Sequence, residues 1–186
     1  ELVRSAFPLI MAAGISAALC SIFFRKEIIA LLYHNFPEDS TVIFPILMTG
    51  FVFLSTSYIY GTLLTANNNM KQLNILAGTT VFINITLNLI LIPRYQGIGA
   101  AISSLISQSF YAIIQMILAR KIIRIPWNTD LLLKLAAFLA LNLTSAWLSG
   151  FIRTWWLGLT LLALSCVLSA VLLGLLKPGE LLSTRE

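Results

Sequence analysis

Few side chains in this sequence are suited to proton transfer, nucleophilic attack or metal ligation. The acids are Glu1, Glu27, Glu38, Asp39, Asp130, Glu180 and Glu186, and the single histidine is His34. Hydrolysis or acyl transfer needs a nucleophile held against a base, paired carboxylates or a metal cluster. Every acid here falls in a connection or at a terminus, so the sequence predicts no enzyme, no cofactor and no metal site. His34 beside Glu38 and Asp39 reads either as a pH-sensitive cluster or as a solvated interfacial histidine; without a fixed partner the second reading is the ordinary one. Cys20 and Cys166 lie within apolar runs, where a free thiol behaves as a small hydrophobe. They imply no disulfide framework and no metal ligation.

What remains is uncharged polarity inside apolar stretches. Asn84 and Asn88 are four apart and share a helix face. Ser104, Gln108, Tyr111 and Gln115 make a second polar stripe at helical spacing. Amides at membrane depth avoid lipid, so both stripes face a helix neighbour, as interhelical hydrogen bonds, or line a substrate pathway. Gly99, Ser103 and Ser107 form a small-xxx-small ladder that lets two helix backbones approach closely. Arg120, Lys121 and Arg124 form a basic group suited to lipid headgroups, either as an anchor on anionic lipid or as a grip on a pyrophosphate. Asn84-Ile85-Thr86 and Asn142-Leu143-Thr144 match a glycosylation sequon, but both sit at membrane depth and are discounted.

The elements that must hold these residues are membrane helices. The chain is 59% hydrophobic and only 10% charged, with a mean hydropathy of +0.93; a soluble domain carries about 25% charged residues. A bilayer core needs about 20 apolar residues per spanning helix. Apolar stretches of that length, uncharged except for Lys134 in the fifth, run over 7–24, 41–64, 73–92, 98–118, 131–148 and 157–176, which predicts an all-α, polytopic bundle of about six spanning helices. Pro8 and Pro45 are expected in first turns, and Pro37, Pro93, Pro126 and Pro178 in connections. Trp127, Trp147, Trp155 and Trp156 lie near span ends, as an interfacial belt requires. Lys134 falls in the first turn of the fifth stretch, from which its ammonium can snorkel to the headgroups.

Segment 25–40 is too charged to span, yet Ile28, Ile29, Leu31, Leu32 and Phe36 recur at near-helical spacing, predicting a short amphipathic helix on the membrane surface. The very short connection 93–97 makes the third and fourth stretches antiparallel neighbours. The twelve basic residues are scattered rather than gathered with aromatics, which argues against nucleic acid. Eight (Arg4, Lys71, Arg120, Lys121, Arg124, Lys134, Lys177, Arg185) fall on one side and four (Arg25, Lys26, Arg94, Arg153) on the other. The positive-inside rule then puts both Glu1 and Glu186 in the cytoplasm. The chain opens at Glu1 with neither an initiator methionine nor a signal peptide, and is expected to be cut from something longer.

Residues 84–103 read Asn84-Ile-Thr-Leu-Asn88-Leu-Ile-Leu-Ile92-Pro93-Arg-Tyr-Gln-Gly97-Ile-Gly99-Ala100-Ala101-Ile-Ser103. The asparagine pair, the Ile-Pro ending and the Gly-x-Gly-Ala-Ala turn together resemble the signature of polysaccharide biosynthesis transporters. That group comprises the O-antigen and exopolysaccharide flippases, within the larger group of multidrug, oligosaccharidyl-lipid and polysaccharide exporters. Two flanking stretches extend the match: 61–67 looks like the end of the family's preceding span, and 28–33 like its outer-surface segment. After Tyr33 the family usually has glycine, where this chain has His34-Asn35. The resemblance covers most of 7–124.

It implies that 1–124 is the C-terminal lobe of a two-lobed, alternating-access flippase and that 125–186 adds two transmembrane helices and a cytoplasmic tail. It further implies the cytoplasmic (inner) membrane, a cargo of lipid-linked oligosaccharide carried on undecaprenyl pyrophosphate, and no cofactor. Implied partners are membrane lipids, the N-terminal lobe of the same protein, and a polysaccharide polymerase or glycosyltransferases. Family members hold the pyrophosphate with cationic cavity residues, often in the first lobe, and no span interior here carries a charge. Two other functions stay open: a drug or cation exporter of the same group, and a non-transporting membrane assembly subunit.

Overall fold

The computed structural model describes residues 2–33, 37–123, 129–150 and 154–175, and of residues 2–6 the backbone only. His34, Arg124, Trp127, Arg153, Lys177 and Arg185 lie outside the described residues. Six helices follow in order, with no strand among the described residues: α1 Leu2–Phe23, α2 Arg25–Leu32, α3 Ser40–Ala66, α4 Met70–Ile123, α5 Thr129–Ser149 and α6 Trp155–Leu172. Four of them, α3 to α6, are long and apolar enough to cross a membrane, and α1 with α2 makes a fifth if that pair is one broken span. The six apolar stretches of the sequence fall on five helices, because α4 carries two of them.

The chain divides into two compact units: Arg25–Trp127, holding α2, α3 and α4, and Glu1–Phe24 with Asn128–Glu186, holding α1, α5 and α6. The sequence division at 124 likewise separates α5 and α6 from α3 and α4. It differs over α1, which packs on α5 and α6 rather than with the helices that follow it.

Within the α2–α4 unit the governing feature is the break in α4. Gln96 has φ 47° and ψ −124°, outside any helix, three residues after Pro93. Proline lacks the N–H that would bond the carbonyl four residues back and its ring crowds that turn, so the helix is weakened in the turn that leads into the break. The two limbs, 70–95 and 97–123, then fold back on each other. Asn84 donates to Ser107, twenty-three residues on, at 2.8 Å; in a straight helix that separation would be about 35 Å. The expected connection over 93–97 shrinks to the single non-helical Gln96, and Pro93 stays inside α4. Pro8 and Pro45 likewise fall inside their helices, past the first turn, because α1 begins at Leu2 and α3 at Ser40.

α3 runs beside the second limb in the same direction. A Cβ at Gly97 would come within 3.0 Å of Ile43, one at Gly50 within 2.9 Å of Gln108, and one at Gly61 within 3.3 Å of Gln115. Both sequences of contacts rise together, so the unit is an up-down-up arrangement of α3 and the two limbs. α2 packs on α3, with Ile29 buried and Leu31, Leu32 and Tyr33 exposed.

The core of each unit is narrow. Leu64, Ala112 and Ala119 are fully covered in one, and Phe138, Ala146 and Leu162 in the other, while Phe82 (72%), Leu89 (73%) and Leu172 (76%) stay largely exposed. Water would penalise that much exposed apolar surface, whereas lipid tails are as apolar as leucine. Several hydroxyls obey the same constraint: Thr49, Thr79, Thr86 and Ser145 each bond a carbonyl four residues back in their own helix, so none of these four donors is left facing hydrocarbon.

Candidate functional site

The polar residues singled out by the sequence sort into two seams of the α2–α4 unit. The first lies between the limbs of α4. Asn88 Nδ2 donates to Asn84 Oδ1 at 2.9 Å, and Asn84 Nδ2 donates to Ser107 Oγ at 2.8 Å and, at 3.4 Å, to the Ser103 carbonyl. Ser107 in turn donates to the Ser103 carbonyl at 2.8 Å and the Ser104 carbonyl at 3.1 Å. The asparagines therefore meet the small-residue ladder, with Ser103 and Ser107 nearly fully buried; of Ser104 only the backbone carbonyl joins in. Gly99 ends this seam: a Cβ there would overlap the Leu91 carbonyl of the facing limb, so only glycine lets the limbs touch at that level.

The second seam lies between α3 and the second limb. Gln108 and Gln115 project toward α3 over Gly50 and Gly61, whose missing side chains make room for them. Gln115 is 2% exposed, and its Oε1 has no hydrogen-bond partner. Tyr111, between them, is half-buried. Of the stripe read as one set, Gln108 and Gln115 thus turn to α3, while Ser104 gives only its backbone carbonyl to the first seam.

Asn88 has a further property. Its Oδ1 is buried without a hydrogen-bond partner, and the residue is the polar member of an open groove of about 280 Å³ lined by Ile85, Asn88, Leu89, Ile92 and Pro93. Buried acceptors are ordinarily paired. The Asn88 acceptor is enclosed, so it meets an entering hydroxyl only if the side chain turns toward the groove.

The basic group lies in the last turn of α4, where Arg120 is half-buried and Lys121 exposed; Arg124 lies outside the described residues. Among the described residues no group of three or more His, Cys, Asp or Glu is placed to hold a metal ion. The arrangement can donate and accept hydrogen bonds, and it carries no acid–base pair.

The α1–α5–α6 unit holds a polar cluster that the sequence reading passed over. Asn142, fully buried on α5, donates to the Phe138 carbonyl at 2.8 Å and to Ser169 Oγ at 2.9 Å, and accepts from Ser165 Oγ at 3.1 Å. The signal was Ser165 and Ser169, one turn apart on the next apolar stretch. Asn142 is a satisfied clamp between α5 and α6, and such a bond is worth about 1 kcal/mol in a membrane. Lys134, the sixth residue of α5 and so past its first turn, pairs with Asp130 at 2.9 Å one turn earlier.

Helices of this length and apolarity, with polar groups turned onto one another and apolar surface outward, define a multi-pass membrane protein. The chain matches no protein-family model, no curated protein and no solved structure.

Proposed function

We propose that the chain is the second lobe, with two further helices, of an alternating-access flippase that carries lipid-linked oligosaccharide across the cytoplasmic membrane for surface polysaccharide biosynthesis. In this reading it is not an enzyme, and its partners are the lipid-linked cargo, the surrounding lipids and a first lobe of the same protein. The observation that carries the reading is the α4 hairpin. The residues that resemble the transporter signature are those at which the helix reverses: Pro93 before the break, Gly99 at the limb contact, and Asn84 and Asn88 in the seam. Asn88, with an unpaired acceptor beside a groove, is the residue best placed to meet a sugar hydroxyl.

One observation favours a second reading, a membrane assembly subunit that only binds partner helices. Gln108 and Gln115 are packed onto α3, which is how amides act when they serve as glue between helices. A single experiment separates the two. In a strain lacking the gene that encodes this chain, surface polysaccharide should be lost. Complementation with Asn88→Leu and Gln108→Leu combined should restore it about tenfold less well than wild type at equal membrane level, since an unmet sugar hydroxyl costs about 1 to 3 kcal/mol. Normal polysaccharide without the gene overturns the flippase reading. Normal export by the double variant makes the amides structural.

A further inference from the structure

The second limb of α4 keeps its unbonded, partly exposed polar side chains on one side. Ser107 turns to Asn84 on the first limb, while Gln108 and Gln115 turn to Gly50 and Gly61 on α3. At about 100° per residue, Ser104 and Tyr111 fall in the gap between those two seams, with Gln108 at its edge. All three are partly exposed, and their side chains have no hydrogen-bond partner among the described residues. The opposite side of the limb presents Ile106, Ile113 and Ile117, a surface suited to lipid. α3 runs parallel to this limb, so right-handed winding settles which of its residues turn to the polar side: from Gly50, a further ~40° to ~100° around the helix reaches Leu54, Tyr58 and Phe51. These are exposed, Tyr58 by 75%. On the antiparallel first limb the same construction from Asn84 reaches Asn88, Ile92 and Ile85, which line the groove.

This face is polar at a depth where lipid is not. Gln108 and Tyr111 stand within about 3 Å of the middle of limb 97–123. Gly50 is level with Gln108 and Gly61 with Gln115, so Tyr58 lies within about one turn of Tyr111 along the axis. Tyr58 is about 12 Å from the nearer end of α3 at Ala66. A helical side chain leans toward the N-terminus of its helix, which carries the Tyr58 hydroxyl further from that end and out of reach of headgroups. That hydroxyl bonds no described residue, and hydrocarbon offers it, Tyr111 and Gln108 no partner.

We propose that this face is the wall of a water-filled cavity, in which Tyr58 and Tyr111 stack against a sugar ring of the cargo while Gln108 hydrogen-bonds its hydroxyls. An aromatic ring carries a negative face that attracts the C–H groups of a pyranose, and an amide both donates and accepts. The three side chains thus match the two kinds of surface that a sugar ring presents. A partner helix, mostly apolar or small-residued at its contacts, would leave the two hydroxyls and the amide unmet. The sugar assignment rests on the flippase reading, whereas the water does not.

The test has two readouts on the whole protein. In permeabilised membranes, with Cys20 and Cys166 changed to alanine, single cysteines at Tyr58, Tyr111, Ile106 and Ile113 are treated with a charged, water-soluble methanethiosulfonate. The thiolate is the reactive form and needs water, so Tyr58→Cys and Tyr111→Cys should react about tenfold or more faster than Ile106→Cys and Ile113→Cys. Slow reaction at Tyr58 and Tyr111, which a helix or lipid on that face would give, overturns the cavity, and so do equal rates at all four positions. Sugar contact is read from surface polysaccharide at equal membrane level. Tyr58→Leu should lower it about fivefold to tenfold, whereas Tyr58→Phe, which keeps the ring, should stay within about twofold of wild type. Ile113→Ala, on the opposite side, should match wild type. Tyr58 is exposed, so its replacement leaves the core intact. Normal export by Tyr58→Leu, or an equal fall for Tyr58→Phe, overturns the stacking. Failure of the flippase reading looks different: polysaccharide is then normal without the gene, which removes the sugar and leaves the pattern of thiol reactivity in place.

Discussion

Among the described residues two non-glycines hold a positive φ, Asn68 at 58° and Gln96 at 47°, and they differ in what that costs. Asparagine tolerates the left-handed helical region because its short amide bonds locally, whereas Gln96, with ψ −124°, lies in a sparsely populated region that costs a side-chain-bearing residue about 1 to 3 kcal/mol. The conformation at Gln96 turns α4 back on itself, so the strain persists because both limbs enforce it. Gln96→Gly should therefore stabilise the protein by about 1 kcal/mol once the extra unfolded-state freedom of glycine is subtracted, raising the melting temperature in detergent by about 2 to 4 °C. Asn68→Gly should shift it far less. A lower melting temperature for Gln96→Gly would show that the glutamine side chain stabilises the turn by more than its backbone costs. The orphaned acceptors of Asn88 and Gln115 belong to the same scale: each is a local cost that a packed helix alone does not explain.

At the scale of the element, the hairpin stands on small residues at particular levels. Gly99 and Gly78 lie on opposite limbs of α4 and meet opposite surroundings: a Cβ at Gly99 overlaps the Leu91 carbonyl, while one at Gly78 meets nothing within 4 Å. Gly99→Ala should force the limbs apart and cost about 1 to 3 kcal/mol. Gly78→Ala should stabilise α4 by up to about 1 kcal/mol, the ordinary helix preference of alanine over glycine. Unfolding in a denaturing detergent titration reads both, and equal effects at the two sites would mean that the limbs are not in contact at Gly99.

The sequence carried much of this element, because Asn84, Asn88, Gly99, Ser103 and Ser107 announce close packing by type and spacing alone. It carried less of how the faces are shared out. Ser104, Gln108, Tyr111 and Gln115 lie at one helical spacing, but Gly50 and Gly61 on another helix decide that the glutamines turn to α3. That information is held between segments, not within one. Asn142 shows no partner within its own stretch for the same reason, since Ser165 and Ser169 sit on the next helix. The placement of α1 with α5 and α6 is the largest case: hydropathy finds a helix, and nothing in periodicity says which distant helices it joins.

At the scale of the whole molecule, the α4 hairpin makes the topology testable without reference to either terminus. Each limb has about 26 residues, or about 39 Å of helix, more than the about 30 Å of a bilayer core. The fold at Gln96 and the open end at Lys71 and Lys121 must then lie on opposite sides of the membrane if both limbs cross it. The open end has cations and no acid, while the α2 end of the unit mixes Arg25 and Lys26 with Glu27, Glu38 and Asp39. The positive-inside rule counts basic residues near span ends, and among the described residues of the α2–α4 unit it counts three at each end, Lys71, Arg120 and Lys121 against Arg25, Lys26 and Arg94, with Arg124 adding a fourth to the first group in the sequence. The orientation therefore rests on the remaining basic residues of the chain, so the hairpin crossing and its direction are separate claims. After Cys20 and Cys166, both free thiols, are changed to alanine, single cysteines at Arg94, Lys71 and Lys121 can be probed with a membrane-impermeant maleimide. Arg94→Cys should react on intact cells, and Lys71→Cys and Lys121→Cys only after permeabilisation. Reaction of all three from outside would mean that the hairpin does not cross. The inverse pattern would keep the hairpin, reverse the orientation, and move the basic end away from the anionic cytoplasmic leaflet.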